Sequence, residues 1–356
     1  MAAFKSLVVE NFVAFQHRLE WKAHTSLNVI IGENDTGKTH LLKLLYAMAR
    51  AIEDYSKKKS GPQPRELSEL LAHKLRWTFL PQKLELGRLV SRGTGNRLVI
   101  DLCWNSGGHL KFGFGRDTTI KIVEIDTNGL PELEGNKASF LPTKEILSIF
   151  DAIVATRETM ELAAFDDTYY DLVQDYRQPT TKGKLQVNIA QVFKHLEDVT
   201  GGGEIELEKD GNIVFRRGKE VFNMHQTAEG IKKIGILSRL MRNRRLTPAG
   251  GCMLFVDEPE VNLHPKAIVL FAEMLHEFAR SGIQVYLTTH SYFLLKRLEQ
   301  LARANATDYS LLDLRKQEGA GVTGTVSRLA DGLPQNPIVE ESLKLFDQDV
   351  QLDLAD

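Results

Sequence analysis

Cysteine is nearly absent from this chain: Cys103 and Cys252 are the only two among 356 residues, and both sit in apolar, strand-like stretches at no metal-ligand spacing. A disulfide framework and a cysteine-based metal site are therefore not expected, and two buried thiols in a cytoplasmic protein is the plain expectation. Long hydrophobic runs are missing too, and no stretch approaches the roughly 20 apolar residues of a membrane span. The first apolar run carries Lys5 and Glu10, which spoils a secretory signal. No excess of one charge exists, with 45 basic against 47 acidic residues, so composition neither requires nor excludes a nucleic-acid partner. Sustained heptads, internal repeats and low-complexity tracts are also absent. What remains is a soluble chain with ample material for a large core.

The strongest local pattern is Gly32-Glu33-Asn34-Asp35-Thr36-Gly37-Lys38-Thr39, followed by His40. It fits G-x-x-x-x-G-K-[ST], a loop whose glycines let backbone N–H groups converge on a polyphosphate at a helix N-terminus. Its context agrees. Ser26 to Ile31 reads as a buried strand, and Leu41, Leu42, Leu44, Leu45 and Met48 recur at helical spacing. Residues 32–40 are the expected ATP-binding segment, Lys38 reaching the β- and γ-phosphates and Thr39 offering its hydroxyl to Mg²⁺.

The remaining elements follow in order. Phe4 to Phe12 and Arg18 to Lys22 predict a hairpin, and Glu66 to Leu75 a helix after a basic loop with Lys57, Lys58 and Lys59 that reads as a solvated face. Leu98 to Trp104, Leu110 to Phe114 and Thr119 to Ile125 alternate apolar and polar residues, which predicts an antiparallel sheet. Gly113 and Gly115 precede no helix and are not a dinucleotide fingerprint. Ala138 to Leu141 predicts a strand, and Thr143 reads as the cap of the next helix. Further helices are expected at Glu158 to Tyr176 and Val187 to Val199, with Gln178 to Gly183 as the turn between them; Glu204 to Phe222 is expected to form a hairpin turned at Lys209 to Asn212. Pro248 to Gly251 then breaks the helix that follows Gly230.

Cys252 to Val256 is an apolar strand ending in Asp257-Glu258, and Ile283 to Leu287 another, followed by Thr289-His290. Two acids at a buried strand end suit a metal–nucleotide site: Asp257 would hold Mg²⁺ and Glu258 would polarise the attacking water. The bland reading is an acid pair favoured by a helix dipole. His290 could face the γ-phosphate, or could be a satisfied structural histidine. Thr227-Ala228-Glu229-Gly230 opens a helix and could serve the nucleotide of a second copy; a simple helix cap is the alternative.

This order of motifs resembles the ABC-type ATPase head, in the branch containing SMC proteins, RecF and the OLD-family ATPases rather than the transporters. The stretch Leu7 to Phe15 is similar to that branch's opening strand and turn. The resemblance implies an α/β P-loop NTPase of ABC-ATPase type, with a mixed central sheet, an antiparallel β subdomain and a short helical lobe. The corresponding division is 1–142 with the phosphate loop, 143–203 as the helical lobe, and 204–356 with the remaining motifs. It implies ATP and Mg²⁺ as cofactors, Thr39 and Asp257 as metal residues, and Lys38, Glu258 and His290 as catalytic residues. Thr227, Ala228, Glu229 and Gly230 would be the signature acting across a homodimer or higher oligomer.

Three departures stand out. The signature is degenerate, no glutamine loop is present with Pro142 to Glu145 in its place, and Val13 and Ala14 replace the usual basic residue of the opening turn. No nuclease domain follows His290, Asp347 and Asp349 read as a solvated acidic tail, and the chain reads as a standalone ATPase head. Such heads act in bacterial DNA repair or anti-phage defence, beside a separate effector such as a nuclease or toxin. A RecF-like DNA binder is the alternative, with Arg239, Arg242, Arg244 and Arg245 as candidate contacts, or as a solvated helix end. A transporter subunit is a further alternative, but no coupling surface for a membrane partner is evident.

Overall fold

A computed structural model describes residues 3–22, 24–57, 64–92, 95–130, 137–160, 162–181, 190, 202–208, 211–247, 251–317, 319 and 321–353. Its centre is a six-stranded sheet of β3 (Leu27–Gly32), β7 (Ala138–Leu141), β11 (Met253–Asp257), β12 (Gln284–Thr288), β13 (Ser310–Gln317) and β14 (Gly321–Arg328). The spatial order is β14-β13-β3-β12-β11-β7, all neighbours parallel except the antiparallel β13–β14 pair. Strands buried on both faces are mostly apolar, and β3, β11 and β12 are buried throughout, their polar members Asn28, Asp257, Gln284 and Thr288 all hydrogen-bonded.

Side chains that alternate along these strands divide the interior in two. Ile30, Phe255 and Tyr286 face one core with Leu41, Leu45 and Met48 of α1 (Lys38–Ser56) and Leu71 and Leu75 of α2 (Pro64–Phe79). Val29, Ile31, Leu254, Val256 and Leu287 face the other, against three helices: α5 (Glu229–Arg242), α6 (Pro265–Arg280) and α7 (Tyr292–Ala304). Each alternation follows from the two-residue period of a strand.

The first core also takes one face of a five-stranded antiparallel sheet, ordered β2-β1-β4-β5-β6. Its members are β1 (Phe4–Glu10), β2 (Leu19–Trp21), β4 (Arg97–Trp104), β5 (His109–Gly115) and β6 (Glu124–Asn128). The third outer strand expected over 119–125 therefore starts later. Ile122 is buried and accepts a hydrogen bond from the Ser68 hydroxyl, whereas Val123 is exposed, so the alternation there belongs to a connecting segment.

Beyond β7 lie α3 (Phe150–Val154) and α4 (Asp167–Arg177). The helix expected over 158–176 shortens to α4, because Asp166 caps it by accepting from the Thr168 amide at 2.8 Å. Apart from residue 190, the predicted helix over 187–199 lies outside the described residues, as do the turn residues Lys209 and Asp210 and Lys58, Lys59, Lys182, Gly183 and 248–250. The segment expected as one hairpin is a three-stranded sheet of β8 (Glu204–Leu207), β9 (Ile213–Arg217) and β10 (Glu220–Asn223). A last helix, α8 (Pro337–Asp353), carries Asp347; the backbone of Asp349 also lies in it. Among the described residues, no helix is long and apolar enough to cross a membrane.

Candidate functional site

The glycine-bounded loop leaves β3 at Gly32 and enters α1 at Gly37. Gly32 has φ of 149°, and a Cβ there would lie 2.4 Å from the Leu314 carbonyl of the neighbouring strand. Gly37 has φ of 85°, the left-handed region that glycine tolerates, and it packs against Ala14 and Phe15 of the opening turn. The chain therefore bends sharply at both ends, with Thr36 buried and bonded to the Glu33 carbonyl at 2.9 Å. Glu33, Asn34 and Asp35 are exposed on the loop's outer side, and Asp35 pairs with Lys316 across 2.5 Å.

Lys38 folds back over this loop. Its ammonium donates to the Gly32 and Glu33 carbonyls at 2.9 and 2.7 Å. Burial lowers its pKa, and Glu258, Asp257 and Glu260 oppose that shift. The cation thus has neutral dipoles as direct partners and a group of acids nearby.

Beside it the carboxylate of Asp257, at the end of β11, accepts from hydroxyl groups. Thr39 donates to Oδ1 at 2.9 Å, Thr288 to Oδ1 at 2.7 Å, and Thr143 to Oδ2 at 3.0 Å. A hydroxyl and a carboxylate oxygen are the hard donors Mg²⁺ takes, with its other positions left to phosphate and water. Among the described residues there is no group of three or more His, Cys, Asp or Glu that could hold a metal ion. Thr143 was expected as a helix cap. It reaches Asp257 because β7 lies next to β11, so the residues following β7 pass the acid. The amides of Leu147 and Ser148 are instead capped by Glu145.

Glu258 has φ of 45°, an uncommon value for a residue with a side chain, and its amide donates to the Thr288 carbonyl and hydroxyl at 3.2 and 3.1 Å. That backbone turn brings Oε1 within 2.9 Å of His290 Nε2. The His290 hydrogen bond is the largest cause that holds the Glu258 carboxyl below its usual pKa, against the opposing effect of burial. At neutral pH the pair offers an ionised base held by an imidazole.

His40 is exposed and stacks on Phe79 at 6.2 Å with a 19° interplanar angle. The two rings line a cleft of about 710 Å³ with Val13, Arg88 and Arg92, next to the phosphate loop.

The segment 227–230 also has a definite place. Ala228 is the N-cap of α5 without a side-chain cap bond, so the Thr227 hydroxyl does not cap the helix; it donates to the Asn223 carbonyl at 3.1 Å. Glu229 accepts from Asn262, and Gly230 packs on Leu263. One turn on, buried Lys233 donates to the Pro259 and Val261 carbonyls at 3.2 and 3.0 Å.

The arginines after α5's midpoint require a correction. Arg245 is buried, with its guanidinium bidentate to Glu53 at 2.5 and 3.0 Å, so it cannot meet DNA. Arg239 donates to the Tyr176 carbonyl at 3.1 Å and lies over the Tyr176 ring, and Arg242 pairs with Glu204 at 3.1 Å. Arg244 is exposed and donates to the Thr181 hydroxyl at 3.0 Å.

Thr288, Lys233 and Glu260 were not singled out in the sequence, and Thr143 was read as a helix cap rather than as a partner of Asp257. The signal available for Thr143 was its place after a strand that neighbours β11. For Glu260 it was a third acid in Asp257-Glu258-Pro259-Glu260.

A family profile described as "AAA domain, putative AbiEii toxin, Type IV TA system" matches residues 124–296. That span holds Asp257, Glu258 and His290 and excludes the phosphate loop. In three dimensions the chain is similar to an SMC head bound to the C-winged helix domain of ScpA. Identity is 12%, the TM-score is 0.55, and 92% of this chain and 98% of that one are covered. It is also similar to an Smc head domain with an extended coiled coil, bound to the C-terminal domain of ScpA derived from Pyrococcus furiosus. There identity is 11%, the TM-score 0.52, and coverage 98% and 99%. No curated protein matches it in sequence. At such identities the likeness is one of fold alone: the architecture is that of an SMC head domain.

Proposed function

We propose that this P-loop head binds Mg-ATP, hydrolyses it to ADP and phosphate, and uses the cycle to close and open a two-fold dimer. The observation that carries the reading is the meeting of two motifs 218 residues apart, where the Thr39 hydroxyl donates to Asp257 at 2.9 Å, with Glu258 and His290 paired alongside. Such an assembly has little use in a purely structural protein.

In this reading the amides of residues 33–39 and the Lys38 ammonium hold the phosphates, Lys38 leaving its carbonyl partners to do so. Thr39 and Asp257 would hold the magnesium ion, which neutralises charge developing on the phosphate oxygens. Glu258 takes a proton from the attacking water, and its low pKa keeps it ionised for that step. His290 orients Glu258 and presents its ring toward the γ-phosphate. The base stacks in the cleft beside Phe79 and His40.

The dimer follows from geometry. One chain supplies Lys38, Thr39, Asp257 and Glu258 to one side of the triphosphate. The start of α5 at Glu229 and Gly230 has no nucleotide of its own, and two copies about a two-fold axis would let each cap the other's γ-phosphate. A separate protein partner, in DNA repair or anti-phage defence, is supported by the profile's description as a toxin of a TA system and by the ScpA domains on the similar heads. With Arg245 buried and Arg239 engaged, a DNA contact is not part of the proposal.

Light scattering tests it. Glu258→Gln binds ATP without clearing it and should accumulate as dimer with Mg-ATP, because ATP favours the closed state. Adding Gly230→Arg, at a buried position where Leu263 must yield, should return it to its ATP-free mass while nucleotide affinity of the folded head stays within about twofold, since residue 230 lies outside the phosphate loop. A double variant that still gains mass with ATP removes the sandwich, and loss of ATP binding on the single variant removes the site assignment.

A further inference from the structure

The turn after the two acids carries a third, Glu260, that the proposed chemistry does not use. Its Oε1 accepts three hydrogen bonds from the loop that bears the histidine: from the Thr289 hydroxyl at 2.8 Å, the His290 amide at 2.6 Å and the Ser291 amide at 3.0 Å. Its Oε2 is buried with no hydrogen-bond partner among the described residues. An unanswered carboxylate oxygen beside a strained turn is an expensive way to tie two loops, and an amide or hydroxyl would do so at lower cost.

The same turn is gripped from its other side. Lys233 of α5 donates to the carbonyls that flank Glu260, those of Pro259 and Val261, and is itself fully buried. Burial lowers its pKa, which the charges of Glu229, Glu260, Asp257 and Glu258 partly restore. Between these two anchors the backbone at Glu258 is held at φ of 45° and its carboxylate lies 2.9 Å from His290 Nε2.

We infer that Glu260 is the positioning residue for the Glu258–His290 pair: it sets the switch loop's height against the turn, so that base and imidazole meet. The inference rests on the ATPase reading above. Glu260 makes its hydrogen bonds to the histidine loop and none to Lys38, Thr39 or Asp257. Its three donors are N–H and O–H groups of the loop, and the bond from the His290 amide, at 2.6 Å, is the shortest of the three. A merely structural staple at the start of α7 is the competing account. Ser291 already serves that end, its hydroxyl oxygen accepting from the Leu294 amide at 3.3 Å, so the carboxylate is not needed as a cap.

Steady-state hydrolysis and histidine-labelled amide spectra on Glu260→Ala and Glu260→Gln decide between them. Glu260→Ala should lower kcat on the order of 10²-fold, the cost of misplacing a reacting group by about 1 Å, while KM and ATP affinity stay within about twofold. Glu260→Gln keeps an accepting oxygen and should recover most of that loss. Its His290 amide proton resonance should move upfield even without nucleotide, because the bond loses its charge assistance. A wild-type kcat in Glu260→Ala overturns the inference, as does a change confined to KM or a His290 resonance unmoved in Glu260→Gln. If Glu260→Ala does not fold, the glutamine variant's kcat and resonance decide alone. Should Glu258→Gln itself hydrolyse ATP at the wild-type rate, the assignment of Glu258 as base fails, and the amide resonance still reports on Glu260.

Discussion

Helix α1 carries a cluster of charge at each end, and the two are handled in opposite ways. At its N-terminus Lys38 is bonded to backbone carbonyls and Asp257 to threonine hydroxyls, so ionic groups meet neutral dipoles. Toward its C-terminus every charge meets a charge. Arg50 pairs with Asp175 at 3.1 Å and Glu53 at 3.3 Å, Glu53 with Arg245 at 2.5 Å, and Lys74 of α2 with Asp167 and Asp171 at 2.7 and 2.9 Å. Tyr46 adds a hydrogen bond to Asp171 at 2.6 Å, and Lys43 an ion pair to Asp166 at 2.6 Å. The second cluster closes on itself and ties α1 and α2 to α4. The first is left with partners that a polyphosphate can replace. Buried charges that satisfy one another specify structure, whereas those held by weak partners are poised for a ligand.

The sharpest way to break this contrast is to disable one end and read the other. Glu258→Gln should slow ATP hydrolysis about 10²–10⁴-fold, the usual contribution of a positioned base, with the unfolding midpoint unchanged. Arg245→Ala should do the reverse. It leaves Glu53 and Asp175 to share Arg50 in the interior, which costs up to about 3–5 kcal/mol in a urea titration, while ATP affinity of the folded protein stays within about twofold. Lys38→Ala comes third: losing a charge-assisted contact should weaken ATP binding roughly 10- to 100-fold by calorimetry. Its unfolding free energy should hold, because the lysine's partners are carbonyls on a partly open loop. A Lys38→Ala protein that unfolds as readily as Arg245→Ala would mean that the two clusters do not differ in kind.

The N-terminal end was legible in the sequence because its parts are contiguous. Gly32 to Thr39 is a single motif, and Asp257-Glu258 and Thr289-His290 each end an apolar strand whose place in a parallel sheet follows from the order of elements. The C-terminal end was not, because its bonds join residues far apart: 125 positions separate Arg50 from Asp175, and 192 separate Glu53 from Arg245. Nothing in Arg242 to Arg245 distinguishes the buried arginine from its exposed neighbours. Arg244 has φ of 61°, and the chain reverses there, turning Arg245 inward. Thr143 was misread for a related reason: its partner Asp257 lies 114 residues away, and local capping chemistry gave a plausible but wrong role. Long-range pairing, more than propensity, is what the sequence hides.

Acid separates the ionic cluster from ordinary burial, by an effect smaller than those above. Burial alone would raise the pKa of Glu53, but the Arg245 hydrogen bond, with the charges of Arg50, Arg245 and Lys57, holds it well below the carboxylate range. A carboxyl depressed in the folded state contributes stability that is present above its unfolded pKa of 4.5 and is lost as pH falls below it. His24 titrates earlier. It lies under Trp21 with Nδ1 at 2.9 Å from the Tyr286 hydroxyl, and burial lowers its pKa from 6.5 to about 3, against a smaller opposing backbone hydrogen bond at Trp21. Between pH 6.5 and about 3 the unfolded chain therefore binds a proton that the folded chain refuses. Stability should be full above pH 6.5 and fall below it by about 1.4 kcal/mol per unit for this group. Urea unfolding of the wild type and of His24→Gln at pH 7, 6 and 5 isolates the term, since only the difference in slope matters and not the offset that the glutamine introduces. The wild type should lose about one proton's worth more stability per unit than the variant above pH 4.5, with the slopes converging near pH 3. Equal slopes above pH 4.5 would mean that the folded protein takes up a proton at His24 as readily as the unfolded chain does, and any loss that remains below pH 4.5 would then belong to the carboxylates paired at the C-terminal end of α1.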